Sequence, residues 1–516
     1  MQVALERSKQ TRLELVLSWV ESSPGALLWA LSALYWIEIY GRITTKAIWY
    51  DEIFSLYVSR LGWADQLWPA LKAGIDNQPP LFFLITRAMQ MVFSDAVWAI
   101  RMPQAIAIFV VYAALFLLLR PRLGVLHTIN TLLLLRLLGA QHYAAEARPY
   151  AMLVAAVALA LLCYAQLEDA AGRKYGWWLG GFLLSLALAN GSHYYGAMAL
   201  IPFGCAELVR GTRFGWRWQL WGAMAASLFP YLVLVDLHKA LFAYKNGFSS
   251  KATISVFLNY WSDFTSPFTM RVFLLFLGAK LGMHFVAGAR PAREPDYPFE
   301  KHEMVAIILL CALPVISLAV GMLVTGVFVL RYTLPAILGW AIFFGMCLWR
   351  ETGWNRPVSL ACFLFLFVCS FATSFTRLNG VQERPWDEVI ATLEKTDGDV
   401  VVEYGLSYLE LYHAAPAELK RRLVFLANGF DTQNVARMNT LELGLNRLRL
   451  FYPIRVADVE QYVAGHGSFH LLRFTSDPNG NKQVVTTVLA DRRRPVILSK
   501  RLQNNELWRV ASATYN

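Results

Sequence analysis

The stretch QHYAAEARPYAMLVAAVALALLCYAQL, residues 141–167, places a cluster of polar and charged side chains directly before an apolar run. Residues 150–167 contain no charged side chain, and about 20 apolar residues suffice for a helix to cross a bilayer. Similar runs recur as far as Phe375. Only 16% of the 516 residues are charged, whereas ordinary soluble domains have about 25%. The sequence therefore predicts a polytopic α-helical membrane protein.

About eleven apolar segments are candidate membrane spans. They lie at residues 24–41, 98–119, 123–140, 150–167, 177–192, 195–210, 217–237, 268–288, 304–326, 328–349 and 357–376. With this count every second loop is basic, as the positive-inside rule expects of cytoplasmic loops. These loops contain Arg7, Lys9 and Arg12; Arg120 and Arg122; Arg173 and Lys174; Arg210, Arg213 and Arg217; Arg290, Arg293 and Lys301; Arg350 and Arg356. The other loops then face the external side.

One apolar segment does not fit this count. Leu81–Phe93 is short, carries Arg87 in its middle, and as a full span would place Arg120 and Arg122 outside. We therefore expect an interfacial or re-entrant helix within the first external loop, residues 42–97.

The composition becomes mixed and polar after the last apolar run. Residues 377–516 alternate short β-like runs with helical patterns such as Trp386–Glu394, which predicts an external α/β domain following a transmembrane domain of residues 1–376. The predicted strands are Val400–Glu403, Leu423–Leu426, Phe469–Phe474, Val484–Leu489, Val496–Leu498 and Leu507–Val510. The motif Asp397-Gly398-Asp399 looks like a metal-binding DxD, but its position between a helix and a strand is more typical of a turn.

Several function classes are disfavoured by composition. The net charge of +11 does not indicate nucleic-acid binding, because the basic residues lie in short clusters between apolar runs. The six cysteines lie within apolar segments without metal-site or disulfide spacing. The chain has no P-loop and no GxGxxG motif on a βαβ unit, so it offers no standard nucleotide site.

The first external loop carries two groups of polar side chains. Asp51 and Glu52 are adjacent acids between aromatic residues, and Asp76 and Gln78 precede the diproline Pro79-Pro80. Taken alone, the acid pair is equally typical of a helix N-terminus, where the helix dipole favours negative charge. The diproline alone is typical of a helix start.

Further polar residues lie at the ends of predicted spans on the same external side. They are Arg148 and Tyr150, His193 and Tyr194, and Arg331 and Tyr332. An arginine at such a boundary is usually an anchor that extends towards the headgroups, and a tyrosine is usually a residue of the interfacial belt. Their concentration on one side is what suggests a common site.

Six motifs occur in an order and spacing that resemble the GT-C glycosyltransferases. They are Trp49-Tyr50-Asp51-Glu52, Gln78-Pro79-Pro80-Leu81, Arg101-Met102-Pro103, Glu146-Ala147-Arg148-Pro149-Tyr150, Ser192-His193-Tyr194, and Arg331-Tyr332 with Leu334-Pro335-Ala336. More narrowly, they look like the bacterial branch related to protein O-mannosyltransferases and to the aminoarabinose transferase that modifies lipid A. The resemblance covers residues 25 to about 340. Many relatives have a histidine where this chain has Gln78, which puts a metal site at that point in doubt.

The resemblance implies a GT-C fold and a polyprenyl-phosphate-linked sugar as donor. The acceptor would be a hydroxyl of a lipid, glycan or protein at the external face of the bacterial inner membrane. Asp51 matches the family's first-loop acid and would be the general base, with Glu52 as its catalytic partner. Glu52 and Asp76 would position the acceptor or hold a divalent metal, which is the one cofactor that we consider. The remaining substrate-binding residues would be Gln78, Arg148, Tyr150, His193, Tyr194, Arg331 and Tyr332, with the two arginines on the lipid phosphate.

Two other function classes remain open from the residues themselves. A transporter or flippase would need polar residues within the spans, and Glu38 is the clearest acid there. A receptor or binding module formed by residues 377–516 would leave the many spans unexplained.

Overall fold

The computed structural model describes residues 21–76, 78–94, 96–242, 251–286, 297–353, 355–378, 386–427, 440–474, 483–502 and 505–511. These residues form two compact units. The first unit contains the described parts of residues 21–45, 97–233 and 252–378. The second unit contains the described parts of residues 46–96, 234–251 and 386–511. The first loop and the C-terminal residues therefore belong to the same compact unit.

The first unit is built of helices, and every predicted span coincides with one helix or with a broken series of helices. They are Pro24–Thr45, Val97–Leu137, Ala140–Ala144, Tyr150–Gln166, Gly172–Ser192, Leu200–Phe214, Trp218–Ala226, Phe229–Val233, Ile254–Val286, Lys301–Cys311, Leu313–Val320, Ala336–Thr352 and Arg356–Leu378, with 3₁₀ turns at Tyr194–Ala199 and Leu330–Thr333 and a π turn at Gly321–Thr325.

Within the described residues, Val97–Leu137 alone is a helical stretch without a gap that is both long and apolar enough to cross a membrane. Lys301–Cys311 and Leu313–Thr325 meet the same criterion together, as a pair bent by 58°. Other helices of the unit are shorter, broken or less apolar. The count of about eleven spans therefore stays a prediction.

The helix Val97–Leu137 is in fact two helices that fold back on each other at Gly124. Gly124 has φ 76° and ψ 170°, which is not helical. Near one end Arg101 donates to the carbonyl oxygen of Ile43 at 3.0 Å, and near the other end Arg136 pairs with Glu38 at 2.5 Å. A straight helix would separate the two arginines by about 50 Å, at 1.5 Å per residue. Since both contact the same end of the helix Pro24–Thr45, the stretch doubles back, as the predicted spans 98–119 and 123–140 require.

Among its described residues the second unit contains ten α-helices, a π turn at Trp63–Leu67 and one six-stranded sheet. The helices are Tyr50–Ser59, Trp68–Lys72, Pro80–Phe93, Val235–Phe242, Asp387–Leu393, Gly405–Ala414, Ala417–Arg422, Thr440–Leu448, Val459–Gly465 and Gln483–Asp491. The strands are β1 Val400–Val402, β2 Leu423–Ala427, β3 Val456–Asp458, β4 Phe469–Phe474, β5 Val496–Arg501 and β6 Asn505–Val510.

The strand order is β3-β2-β1-β4-β6-β5. The strands β3, β2, β1 and β4 are parallel, whereas β6 pairs antiparallel with both β4 and β5. This arrangement has the α/β character predicted for the C-terminal residues. The residues before β1 form a turn, as expected, because Gly398 has a φ of 81°.

One predicted strand is wrong and another was missed. Val484–Leu489 was expected as a strand because of its β-branched residues, but it belongs to the helix Gln483–Asp491. Val485, Val488 and Leu489 are buried, and their i, i+3, i+4 spacing is that of one helix face. The missed strand, β3, has three residues, too few to show an alternating pattern.

Candidate functional site

The second unit carries the two predicted catalytic acids at the start of one helix. We call Tyr50–Ser59 the acid helix; Asp51 and Glu52 lie in its first turn, where the dipole favours negative charge. Glu52 is fully buried and Asp51 is half-buried. Trp49, at the N-cap position, supplies no side-chain cap.

The other end of the acid helix is held by the apolar segment that did not fit the span count. That segment forms the 14-residue helix Pro80–Phe93. Its Arg87 donates to the carbonyl oxygens of Ser59, Arg60 and Leu61 at 3.3, 2.7 and 3.0 Å. Because the last carbonyls of a helix have no intrahelical partner, a cation there both caps the helix and complements its dipole. Arg87 thus fixes where the acid helix ends.

Asp76 and Gln78 precede the helix Pro80–Phe93, as predicted. Asp76 is half-buried, and Asn77 lies outside the described residues. Gln78 is 1% exposed, and its Oε1 has no hydrogen-bond partner within the described part of the chain. No group of three or more His, Cys, Asp or Glu side chains suited to a metal ion occurs among the described residues. A metal held by Glu52 and Asp76 stays a prediction.

The first unit brings five of the predicted substrate-binding residues together. We call Arg148, Tyr150, His193, Arg331 and Tyr332 the arginine–aromatic cluster. The guanidinium of Arg331 lies 5.4 Å from the centre of the Tyr150 ring. The ring of His193 lies 4.7 Å from that of Tyr332 and 5.7 Å from that of Tyr150. Three loops or helix starts that are distant in sequence thus supply one compact group.

His193 is the best-defined member of the arginine–aromatic cluster. It lies between the helix Gly172–Ser192 and the following 3₁₀ turn, and it is 2% exposed. Burial, with the positive charges of Arg148 and Arg331, lowers the pKa of His193 to about 3. The imidazole is therefore neutral at physiological pH.

The hydrogen bonds of His193 assign its tautomer. Its Nδ1 accepts the backbone N–H of Tyr195 at 3.1 Å, so in the neutral ring the proton lies on Nε2. The buried Nε2 has no partner within the described residues. His193 therefore offers a fixed N–H donor beside two arginines, which is a donor set suited to a phosphate.

Tyr195, which the sequence did not single out as a site residue, also contacts this group. The ring of Tyr195 lies 5.9 Å from His193 and 5.1 Å from Tyr332. The backbone oxygen of Tyr194 accepts a hydrogen bond from the Tyr231 hydroxyl at 2.5 Å.

A cavity of about 700 Å³ lies in the first unit between the helix Pro24–Thr45 and the two halves of Val97–Leu137. Its walls are mainly aliphatic and aromatic, with Glu38, Arg136 and Gln141 among the few polar residues. Gln141 belongs to the short helix Ala140–Ala144, which also carries Tyr143. The Tyr143 ring lies 5.9 Å from Tyr150 of the arginine–aromatic cluster. One short helix thus contacts both the cavity and the cluster.

Residues 77–234 match the family model described as dolichyl-phosphate-mannose-protein mannosyltransferase. No curated protein sequence matches the chain. The crystal structure of ArnT from Cupriavidus metallidurans in the apo state resembles this one with a TM-score of 0.59 and 12% identity, over 96% of this chain and 98% of that chain. ArnT from the same organism bound to undecaprenyl phosphate resembles it with a TM-score of 0.57 and 12% identity, over 94% and 97% of the two chains. The chain therefore has a GT-C fold, and the resemblance inferred from its motifs is confirmed.

Proposed function

We propose that this protein is a GT-C glycosyltransferase of the membrane that transfers a sugar from a polyprenyl-phosphate carrier to a hydroxyl acceptor. The observation that carries the proposal is the arginine–aromatic cluster, which joins Arg148, Arg331 and the fixed N–H of His193. The GT-C fold supports the reaction class.

The cluster would bind the phosphate of the carrier. Negative charge on that phosphate grows as the glycosidic bond breaks, so cations and N–H donors stabilise the transition state more than the ground state. A neutral histidine suits this role, because it adds a directed donor without a third positive charge next to two guanidinium groups. Tyr150 and Tyr332 support Arg331 and His193 by ring contacts.

The apolar cavity supports a lipid as the carrier. Its aliphatic and aromatic walls suit hydrocarbon, and Arg136 and Gln141 lie among its polar residues. One of the ArnT structures with the same fold holds undecaprenyl phosphate. A lipid carrier also suits an active site on the external side of the inner membrane, where soluble activated sugars are absent.

The chemical step would be a single displacement with inversion. The acceptor oxygen attacks the anomeric carbon, the bond from that carbon to the phosphate oxygen breaks, and the acceptor proton passes to the carboxylate of Asp51. Glu52 and Asp76 would orient the acceptor, and Gln78 would line its site. Tyr194 stays a predicted donor-site residue.

The acid that the transporter alternative would use, Glu38, pairs with Arg42 at 2.8 Å and with Arg136 at 2.5 Å. Glu38 and Arg136 also line the apolar cavity, so the choice between transporter and transferase depends on the ligand that is bound there.

Native mass spectrometry of the protein from its own membranes tests the donor class without any guess about the sugar. We expect a polyprenyl-phosphate or polyprenyl-phosphate-sugar adduct on the wild type, a weaker one on Arg148→Ala, and an unchanged one on Arg213→Ala. Arg213 is an exposed arginine at the end of the helix Leu200–Phe214, which makes it a matched control. An adduct of ordinary phospholipid or small solute, unaffected by Arg148→Ala, would support a transporter.

The role of Asp51 has its own test. Consumption of the endogenous polyprenyl-phosphate sugar in native membranes should fall at least about 100-fold in Asp51→Asn, the usual contribution of a general base. The adduct should persist, since the proposal assigns Asp51 to the acceptor proton and not to the phosphate. Near wild-type consumption would remove Asp51 from the mechanism.

A further inference from the structure

The first turn of the acid helix is capped by a residue that lies 360 positions later in the chain. The backbone N–H of Tyr50 donates to Oε1 of Glu410 at 3.1 Å. Glu410 belongs to the helix Gly405–Ala414, which follows β1 of the sheet. Trp49 provides no side-chain cap, and Glu410 supplies an acceptor for one of the N–H groups of the first turn that have no intrahelical partner.

The middle of the acid helix contacts the same C-terminal residues. The ring of Tyr57 stacks on that of Tyr452 with 4.2 Å between centres and 12° between planes. The hydroxyl of Tyr57 lies 3.1 Å from Nδ1 of His413, one turn after Glu410. These contacts fix the rotation of the acid helix about its axis, which the cap alone would leave free.

The end of the acid helix is tied to the same residues. Nη1 of Arg60 donates to the hydroxyl of Tyr452 at 3.1 Å. The guanidinium of Arg60 also lies 5.5 Å from the centre of the Tyr57 ring. The start, middle and end of the acid helix are thus each held by a residue from the segment 410–452.

Burying the carboxyl group of Glu410 costs free energy, which a purely structural contact would not require. Burial raises its pKa, and the hydrogen bond from Tyr50 opposes that rise. A neutral side chain could fill the same space without the cost of burying a carboxyl group. A carboxylate, however, adds an attraction to the positive end of the helix dipole, which strengthens the hold on the first turn.

We propose that Glu410, His413 and Tyr452 form a clamp on the acid helix, and that Glu410 is a positioning residue for Asp51. Through this clamp the C-terminal residues would contribute to transfer by holding the acid helix in place, whether or not they bind the acceptor. The inference rests on the proposed function for the role of Asp51, but not for the clamp itself. A general base acts only within hydrogen-bond reach of the proton it removes, so a small shift of the first turn would slow transfer greatly.

Hydrogen–deuterium exchange of the full-length protein tests the clamp directly. In Glu410→Ala the amides of residues 50–54 should exchange about 5- to 10-fold faster, the usual effect of losing a helix cap. Glu410→Gln keeps an acceptor oxygen and should restore most of the protection. Glu418→Ala, a nearby glutamate whose side chain is 86% exposed, should behave as the wild type. Unchanged exchange in Glu410→Ala overturns the clamp.

A second pair of measurements tests positioning. Consumption of the endogenous polyprenyl-phosphate sugar in native membranes should fall at least about tenfold in Glu410→Ala and recover in Glu410→Gln. The adduct formed with added undecaprenyl phosphate should stay unchanged in both. Faster exchange with wild-type consumption overturns the positioning role and leaves a structural cap. Failure of the wild type to bind undecaprenyl phosphate refutes the proposed function, whereas the exchange result still decides the clamp.

If Glu410→Ala does not fold, Tyr452→Phe provides an independent test. It keeps the ring stack on Tyr57 and removes the hydroxyl that accepts from Arg60. We expect faster exchange confined to the last turn of the acid helix. Unchanged exchange there overturns the contribution of Tyr452 to the clamp.

Discussion

His193 illustrates how two nitrogen atoms of one ring can have separate roles. The backbone N–H of Tyr195 occupies Nδ1, and this contact leaves Nε2–H as a donor of fixed direction. The low pKa of His193, about 3, keeps the imidazole neutral throughout the physiological pH range. The sequence showed a histidine at a span boundary but gave no information on its tautomer, which depends on a hydrogen bond from the backbone N–H two residues later.

Replacing His193 should therefore show whether it acts as a neutral hydrogen-bond donor or as a group that gains a proton. His193→Phe should weaken binding of undecaprenyl phosphate about 10-fold or more, the usual effect of losing a hydrogen bond to a charged group. His193→Gln places an amide N–H near the position of Nε2 and should recover part of the affinity. Titration followed by native mass spectrometry measures both. A wild-type affinity that rises sharply as the pH falls from 8 to 6, as a newly charged imidazolium would cause, and that no longer does so in His193→Gln, would contradict the neutral state.

The pKa of a second histidine, His413, predicts how the stability of the folded protein depends on pH. Burial, with the charges of Lys420 and Arg60, lowers the pKa of His413 to about 4. Between the ordinary histidine pKa of about 6.5 and this value, the unfolded chain binds more protons than the folded one, so the folded state loses stability as the pH falls.

The matching measurement is the unfolding midpoint of the full chain at pH 7 and pH 5. The midpoint should fall on acidification, and the fall should be smaller in His413→Phe, which cannot be protonated. Glu410 acts in the opposite direction, since its raised pKa favours the folded state at lower pH. An equal fall in wild type and His413→Phe would show that other groups cause the acid effect.

At the scale of the element, the helix Pro80–Phe93 shows why an arginine can sit in an apolar segment. The sequence correctly set this segment apart, because Arg87 and the short length did not fit a span. It could not show that Arg87 caps another helix, since the three carbonyl groups that it binds carry no sequence signal.

Removing this cap should loosen the acid helix from its C-terminal end. Arg87→Ala should cost about 1–3 kcal/mol, because three carbonyl oxygens lose a charged donor. Arg87→Lys should recover part, because all three bonds come from the single nitrogen Nη1 and an ammonium group can also bond carbonyls, although the lysine side chain is shorter. Amide exchange of residues 58–62 and the unfolding midpoint check this expectation. Arg173→Ala, at a predicted cytoplasmic loop, serves as the control, and an equal loss in both variants would contradict a specific cap.

Element type was predicted well where periodicity was long and poorly where it was short. Each predicted span is matched by a helix or by a broken helix series, whereas Val484–Leu489 was misassigned as a strand. In that segment the β-branched residues indicated a strand. The segment is a helix because a helix buries three of its side chains on one face. Local preference is a weak indicator when tertiary packing decides between two periods.

At the scale of the whole molecule, the sequence predicted the fold and one common site for the members of the arginine–aromatic cluster, but not the contacts among them. Arg148, His193 and Arg331 were identified one by one from motifs on the same predicted side. The association of residues 46–96 with residues 386–511 was not predicted, because no local pattern records contacts across 360 positions. The contacts of the clamp are long-range contacts of this kind.

Ligand binding should be visible in the stability of the full chain. Undecaprenyl phosphate at about 100 times its Kd should stabilise the folded protein by about 2.7 kcal/mol if it binds the native state alone. Undecaprenol, which lacks the phosphate, should stabilise it much less, and Arg148→Ala should reduce the difference between the two lipids. Thermal unfolding in detergent measures all three. Equal stabilisation by both lipids would show that the protein recognises only the hydrocarbon chain.

The bend at Gly124 also sets a limit on how the chain can vary in length. Glu21 accepts the N–H groups of Val125 and Leu126 at 3.0 and 3.3 Å, so the second helix starts at a fixed residue. An inserted residue has no loop in which to be absorbed, and it would rotate the second helix by about 100° and shift it by about 1.5 Å. Arg136 would then lose its register with Glu38. We expect insertions and deletions to accumulate elsewhere in the chain and this hairpin to keep a constant length.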